Sequence, residues 1–400
     1  MSERVPVLVL SPWPSFWEGA PGVGCSDEDE VHRGLVRAGF DVHFVMPASP
    51  GVAPPGPPSH FHLGPDVLSW GGALPSGLRR PLRYFSYRAV YGRRARVLGE
   101  QIRPRLVVGH SYHAARAAVA TARALGARSV TKFFGVMTLA CEDPPAWIHR
   151  ARHWEMIHAL RAPADRVVVM DDGTHGDRAA LRHGVPADRL RFWPNGLDTG
   201  FRDRVPRRTR AELCAAAGVP GEEVLALMIN RLVDNKRVDL AVDAVARLDP
   251  ALRVRLVVVG EGPLRAALQE RARAAGARVS FLGALPHDDL FEWLRAADVF
   301  VGTSVLTNRS LTTLEAMMCG LPVVAVDAGG TRDVVVPGTH GWLAAADPAA
   351  LAVALERMAR EPERRRAMGR AAFEASAAFP GWEERVAREV GLYFELLGAR

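Results

Sequence analysis

The chain has 400 residues, of which 48% are hydrophobic, 24% charged and 7% aromatic, a composition that excludes collagen-like, disordered and disulfide-stapled classes. At roughly 100 to 200 residues per domain, this length implies two domains, each able to bury its own core. The formal net charge of +7 is an arginine excess, since Lys132 and Lys236 are the only lysines, and it invites a phosphate, membrane or nucleic-acid partner.

Short apolar runs alternate with helical patterns, as expected of parallel sheets wrapped by helices. In the first half the strands fall at 5–10, 41–46, 106–109, 128–134, 166–170 and 189–193, with helices at 27–38 and 114–125. The stretch 50–77 is rich in Pro and Gly and reads as a long surface loop. The stretch that opens on Arg79 and ends on Arg96 reads as an amphipathic helix with an arginine-rich face, either solvated or placed against anionic lipid. Pro194-Asn195-Gly196-Leu197-Asp198 is a turn cluster, and the basic run 202–210 after it marks a domain boundary.

The second half restarts the same grammar. Strands are expected at 224–229, 253–259, 278–282, 298–302, 322–326 and 342–345, and helices at 238–248, 264–275, 288–296, 311–319 and 348–360. The fold class is therefore α/β with two facing Rossmann-like domains, and ligands belong beyond the carboxyl ends of the strands, in the cleft between them. No apolar run reaches the roughly 18 residues needed to span a bilayer. The start of the chain, Glu3-Arg4 with Pro6 and Pro12 breaking the apolar stretch, does not read as a signal peptide, so a cytoplasmic location is expected, with peripheral contact at the inner membrane face as an option. Cys25, Cys141, Cys214 and Cys319 have no zinc-site spacing and read as buried thiols.

Two blocks in the second half carry the chemistry. Arg231 leaves the tip of the first strand and Lys236 opens the next helix, so both can converge on one anion, arginine through its fork and lysine as a point charge. A solvated helix start is the plain alternative. In the second block Ser310 is placed to cap a helix through Leu311 and Glu315, whose free amides suit a phosphate. Glu315, one turn in, can accept from ribose hydroxyls or simply stabilise its own helix.

Gly22-Val23-Gly24 lets backbone approach a diphosphate, but Asp27 occupies the third place of a dinucleotide fingerprint, as Arg265 does after Gly260-Glu261-Gly262, so a nicotinamide cofactor is disfavoured. His110, at a strand end, can face the cleft and bond a sugar or phosphate, or be structural. Asp171-Asp172 follows a strand, where alternating directions separate the two carboxylates, and no metal site is expected. No nucleic-acid recognition motif matches.

The order of these motifs resembles the retaining GT-B glycosyltransferases of family 4 over nearly the whole chain, most specifically from Val224 to Leu343. The resemblance rests on Gly22-Val23, His110, Pro194 to Asp198, Arg231 with Lys236, Gly260-Glu261-Gly262, Phe281-Leu282-Gly283, and Glu315 through Gly330. It implies an acceptor domain at 1–203, a nucleotide-sugar domain at 204–380 and a last helix within 381–400 returning to the first domain across a deep interdomain cleft. Arg231 and Lys236 would then hold the diphosphate, Glu315 the ribose, Gly22 the distal phosphate, and backbone at Gly283 to Leu285 the base. Val23, Thr307, Ser310 and Leu311 complete the donor site, and Arg231, Lys236 and His110 are the catalytic candidates.

The implied reaction is metal-independent transfer, with retention, from a nucleotide-diphosphate sugar to a glycan, glycolipid or natural-product hydroxyl. A uridine donor is favoured over guanosine, and no cofactor is needed beyond the donor substrate. Three features depart from the family pattern: Thr307 stands where the first glutamate of the EX7E motif belongs, Arg309-Ser310 takes the last two places of the GFG that often follows, and Phe134-Gly135, with Lys132 before it, replaces His-Gly. These departures keep two alternatives open, a catalytically silent sugar-nucleotide-binding partner and a GT-B-type sugar-nucleotide epimerase.

Overall fold

The computed structural model describes residues 4–13, 26–48, 59–136, 146–306 and 309–398. In the first domain the elements are β1 (Val5–Leu10), α1 (Ser26–Arg37), β2 (Phe40–Pro47), β3 (His60–Gly64), α2 (Ser76–Ile102), β4 (Leu106–His110) and α3 (Ser111–Leu125). They continue as β5 (Arg128–Phe133), α4 (Ala146–Arg152), α5 (Trp154–Leu160), β6 (Arg166–Asp171), α6 (Gly176–Arg182) and β7 (Leu190–Pro194). The seven strands form one sheet in the order β3-β2-β1-β4-β5-β6-β7, with every pairing parallel.

The second domain runs α7 (Arg210–Ala216), β8 (Val224–Ile229), α8 (Val238–Ala246), β9 (Val254–Val259), α9 (Arg265–Ala274), β10 (Val279–Gly283) and α10 (His287–Ala296). It ends with β11 (Val299–Gly302), α11 (Leu311–Met318), β12 (Val323–Val326), β13 (Gly341–Ala344), α12 (Pro348–Arg360), α13 (Pro362–Ala375) and α14 (Trp382–Leu397). Six parallel strands lie in the order β10-β9-β8-β11-β12-β13. The strand order reverses between β1 and β4 in one sheet and between β8 and β11 in the other, so each sheet has a switch point with a crevice at its carboxyl end. The central strands read as continuous apolar runs, such as VLALMI in β8, because helices bury both faces of a parallel sheet.

The stretch 50–77, expected to be loop, contains the edge strand β3. Phe61 and Leu63 of β3 pack on the core while His60 and His62 point the other way, so its alternation is real but short. The arginine-rich helix is longer than 79–96, running the full 27 residues of α2.

The last helix packs on the first domain. Leu392, Tyr393 and Leu396 of α14 join the first domain's core beside Val31, Leu35 and Phe40. Two glycines admit it: a Cβ on Gly34 would sit 2.1 Å from Val386, and one on Gly196 would sit 2.4 Å from the Trp382 ring. The turn Pro194-Asn195-Gly196 is thus the seat of the returning chain, and the Leu197 amide donates to the Pro380 carbonyl at 3.1 Å.

Beneath α14 lies a buried charge network. Lys132 is fully buried, its ammonium on Glu28 of α1 and 2.9 Å from Glu389 of α14. Arg385 pairs with Glu389, and the Tyr393 hydroxyl donates to Glu389 at 2.8 Å. Two cations face two carboxylates, so the desolvated group is neutral as a whole, and its hydrogen bonds offset the cost of burial.

Candidate active site

The second domain supplies a cationic corner. β8 ends at Ile229, Arg231 extends into solvent, and a short turn brings Lys236, partly buried, beside it. The hydroxyl of buried Thr303, after β11, donates to the Lys236 carbonyl at 2.7 Å and fixes this turn. Burial lowers the Lys236 pKa and the Arg231 charge lowers it further, while Asp172 of the other domain raises it. Two cations held close at a strand tip can converge on one anion, and such a pair suits phosphate.

The glycines beside it are steric. A Cβ on Gly260 would lie 1.9 Å from the Asn230 carbonyl, and one on Gly262 would lie 2.4 Å from the Leu232 carbonyl. Gly260-Glu261-Gly262 therefore packs flat on the Arg231 loop, and the Leu232 amide donates to the Glu261 carbonyl at 2.9 Å. The failed dinucleotide fingerprint is a packing device.

Ser310 caps α11, accepting from the Thr313 amide at 3.2 Å, and Leu311 begins the helix with its side chain against the domain core. Glu315 is 8% exposed and accepts from His287 Nε2 at 3.0 Å. His287, first residue of α10, stacks on Phe201 with ring centroids 4.9 Å apart, and its hydrogen bond to Glu315 raises its pKa. Gly283 closes β10 at φ +80° with its carbonyl receiving the Gly260 amide at 2.7 Å, and Leu285 packs half-buried on the same core. Arg231, Lys236, Gly283, Leu285, Ser310, Leu311 and Glu315 thus all follow the carboxyl ends of this domain's strands. Gly22, Val23 and Thr307 lie outside the described residues.

Across the cleft, the loop after β6 presents the Asp171-Asp172 pair. Asp171 pairs with Arg309 of the second domain, whereas Asp172 turns to Thr174, accepting from its amide at 3.1 Å and its hydroxyl at 2.6 Å. Burial raises the Asp172 pKa. The two carboxylates diverge, as alternating directions required, and serve separate partners.

His110 belongs to the first domain. It is 3% exposed at the end of β4, its Nε2 3.3 Å from Glu28 and its ring against both Trp13 and Phe134, which also touch each other. Burial lowers its pKa to about 4, so the imidazole is neutral at pH 7. Its Nδ1 has no hydrogen-bond partner among the described residues. The ring is therefore wired to the Glu28–Lys132–Glu389 network.

Sequence reasoning missed Glu28, His287 and Arg309. Glu28 sits in an acidic run, 27–30, that reads as a solvated helix start, and His287 is a lone histidine. Arg309 and Ser310 take the last two places of a GFG that is common in the family, and that departure was the available signal.

Two facing parallel-sheet domains, with a cationic pair and a helix-borne carboxylate at the strand ends of the second, define the GT-B class. Residues 29–201 match the family model described as Glycosyltransferase Family 4, and residues 210–375 match the one described as Glycosyl transferases group 1. The chain belongs to this glycosyltransferase family. It is similar to the D-inositol 3-phosphate glycosyltransferase of Acidothermus cellulolyticus, 34% identical over 254 residues that cover 60% of this chain and 55% of the relative. The Streptomyces griseus protein of that name is 34% identical over 243 residues, covering 58% and 51%. The matched region spans little more than half the length of these relatives. Among solved structures, sucrose-phosphate synthase from Thermosynechococcus elongatus superposes with a TM-score of 0.76 at 23% identity, covering 99% of this chain and 100% of that one. Anabaena HepE, solved with UDP and glucose, superposes with a TM-score of 0.72 at 17% identity, covering 98% and 100%.

Proposed function

We propose that the protein transfers a sugar from a nucleotide-diphosphate sugar to an acceptor hydroxyl with retention at the anomeric carbon and without a metal ion. The observation that carries this reading is the convergence of Arg231 and Lys236 at the tip of β8, facing the first domain, with Glu315 on the neighbouring α11. The two cations neutralise the departing diphosphate as the bond from the anomeric carbon to its oxygen breaks. The acceptor oxygen bonds to that carbon on the same face, and its proton passes to the released diphosphate oxygen. Electrostatic stabilisation of the leaving group is then the main source of rate.

Glu315, steadied by His287, receives the ribose hydroxyls, and the capped start of α11 receives phosphate oxygens. Backbone at Gly283 to Leu285 borders the base, for which uridine is favoured. The inositol phosphate in the relatives' name makes phosphorylated polyols the first small acceptors to assay, ahead of glycans and glycolipids.

Calorimetric titration of UDP, GDP, dTDP and CDP into metal-free wild type and Glu315→Ala tests the donor site. Micromolar binding of one nucleotide, weakened at least tenfold by the substitution, is expected. Absence of binding by all four would remove the proposal. Nucleotide release that requires acceptor separates transfer from silent binding and from epimerisation.

The outer face of α2 adds a membrane reading. Leu78, Leu82 and Phe85 are exposed there among arginines, and acidic phospholipid is the surface that suits such a face. Arg79, Arg80 and Arg83 also tie α2 to the backbone of Gly72, Arg152 and Trp70. Co-sedimentation with vesicles containing phosphatidylglycerol, lost on Phe85→Ser, is the expected result. Among the described residues no helix is long and apolar enough to cross a membrane.

A further inference from the structure

Far from the cleft, the first domain's sheet carries a polar group that sugar transfer does not use. Strands β2 and β3 pair in parallel with His43 opposite His60 and Val45 opposite His62. Side chains two apart on a strand share a face, so Asp41, His43, His60 and His62 stand together on one side of the pair. The other side, Val42, Phe44, Phe61 and Leu63, is core. Asp41 and His43 lie in the amino-terminal half of β2 and His60 opens β3, whereas the cleft lies at the carboxyl ends.

The geometry is that of a ligand set. Asp41 Oδ2 is 3.1 Å from His43 Nε2, and Asp41 Oδ1 is 3.1 Å from His60 Nε2. One donor atom from each of the three residues lies within 4.8 Å of the other two. Ligands bonded to one ion at 2.0–2.1 Å stand about 3.3 Å apart, so little movement is required. The His43 ring is already held, stacked on His60 with centroids 4.3 Å apart and with Nδ1 3.2 Å from His62 Nε2. His43 is buried and His60 half-exposed, so the set is rigid on one side and open to solvent on the other. Nearby Arg94 donates to the Leu63 carbonyl at 2.6 Å, which holds its charge on the backbone.

We propose that Asp41, His43 and His60 bind a divalent transition-metal ion of the zinc class, with His62 as the outer partner that orients His43. Two imidazoles and a carboxylate are the nitrogen and oxygen donors that suit Zn²⁺ or Co²⁺, with remaining positions left to water. Binding at His43 Nε2 places its proton on Nδ1, where His62 Nε2 accepts it, the outer contact that ligating histidines commonly make. Such an ion staples the edge strand β3 to β2 and leaves the transfer chemistry in the cleft untouched.

The full-length protein, stripped with EDTA and dialysed, is titrated with ZnCl₂ and separately with CoCl₂. One equivalent should bind at micromolar Kd or tighter, Co²⁺ should give a visible ligand-field band, and melting temperature should rise by about 5 °C or more at a hundredfold excess over Kd. His60→Ala, at a half-exposed position, should keep the wild-type circular dichroism and lose at least tenfold in affinity. Asp41→Asn, which keeps the shape and removes the charge, should do the same. No stoichiometric binding by wild type, or equal binding by wild type and both variants, would overturn the proposal.

Discussion

Asp171 of the first domain and Arg309 of the second form an ion pair across the cleft, with both side chains mostly shielded from solvent. Beside it the Gly330 amide donates to the Gly173 carbonyl at 2.9 Å, and a Cβ on Gly173 would come within 2.9 Å of the Arg309 amide. The two loops that flank the cleft therefore touch through backbone at one point and through charge at the next. Asp172, the residue after Asp171, is the acidic neighbour that raises the Lys236 pKa, so this contact lies against the cationic corner.

Breaking that pair should loosen the domains. A mostly shielded ion pair still falls between an exposed one and a fully desolvated one, so Arg309→Gly should shift the balance between closed and open arrangements by about 1 kcal/mol, roughly fivefold. Small-angle scattering of the free protein should show a larger radius of gyration, and an unchanged radius would count against a closing role.

Arg231→Ala should lower transfer at least a hundredfold while leaving the melting temperature within about 2 °C of wild type. The side chain is exposed, so its loss should spare the fold and, in the proposed reaction, fall on the leaving group. Steady-state rates with a matched donor and acceptor check this, and a loss below threefold would sink the assignment of Arg231 to the diphosphate.

The titration of His287 should depend on Glu315. Because the hydrogen bond to Glu315 raises the His287 pKa above its ordinary value near 6.5, Glu315→Gln should return it downward, as read by NMR of the ring protons. A raised folded-state pKa stabilises most below about 6.5, and the advantage is lost as pH rises through the folded value. The stability difference between wild type and Glu315→Gln should accordingly shrink from pH 5.5 to pH 8.5, and an equal difference at both ends would refute the coupling.

Removing the buried lysine should damage the fold rather than the chemistry. Lys132→Met leaves Glu28 and Glu389 facing each other without their shared cation, which costs about 3–5 kcal/mol in chemical denaturation. Lys132 and Arg385 hold the Glu389 carboxyl far below its ordinary range despite burial. A depressed folded-state pKa contributes above about 4.5 and is lost as pH falls, so wild type should lose stability steeply on acidification and Glu389→Gln less so.

The sequence by itself determined the architecture and the make-up of the cationic corner. Apolar runs with helical spacing between them specify parallel strands buried on both faces, and Arg231, Lys236, Ser310 and Glu315 are local features whose placement follows from strand tips and helix caps. What it could not determine are contacts between residues distant along the chain. Lys132 meets Glu389 only because α14 returns over α1, Asp171 meets Arg309 only because two domains face each other, and His43 meets His60 only because a short strand pairs beside β2. Side-chain periodicity fixes which way a residue points, and only the packing of whole elements decides what it points at.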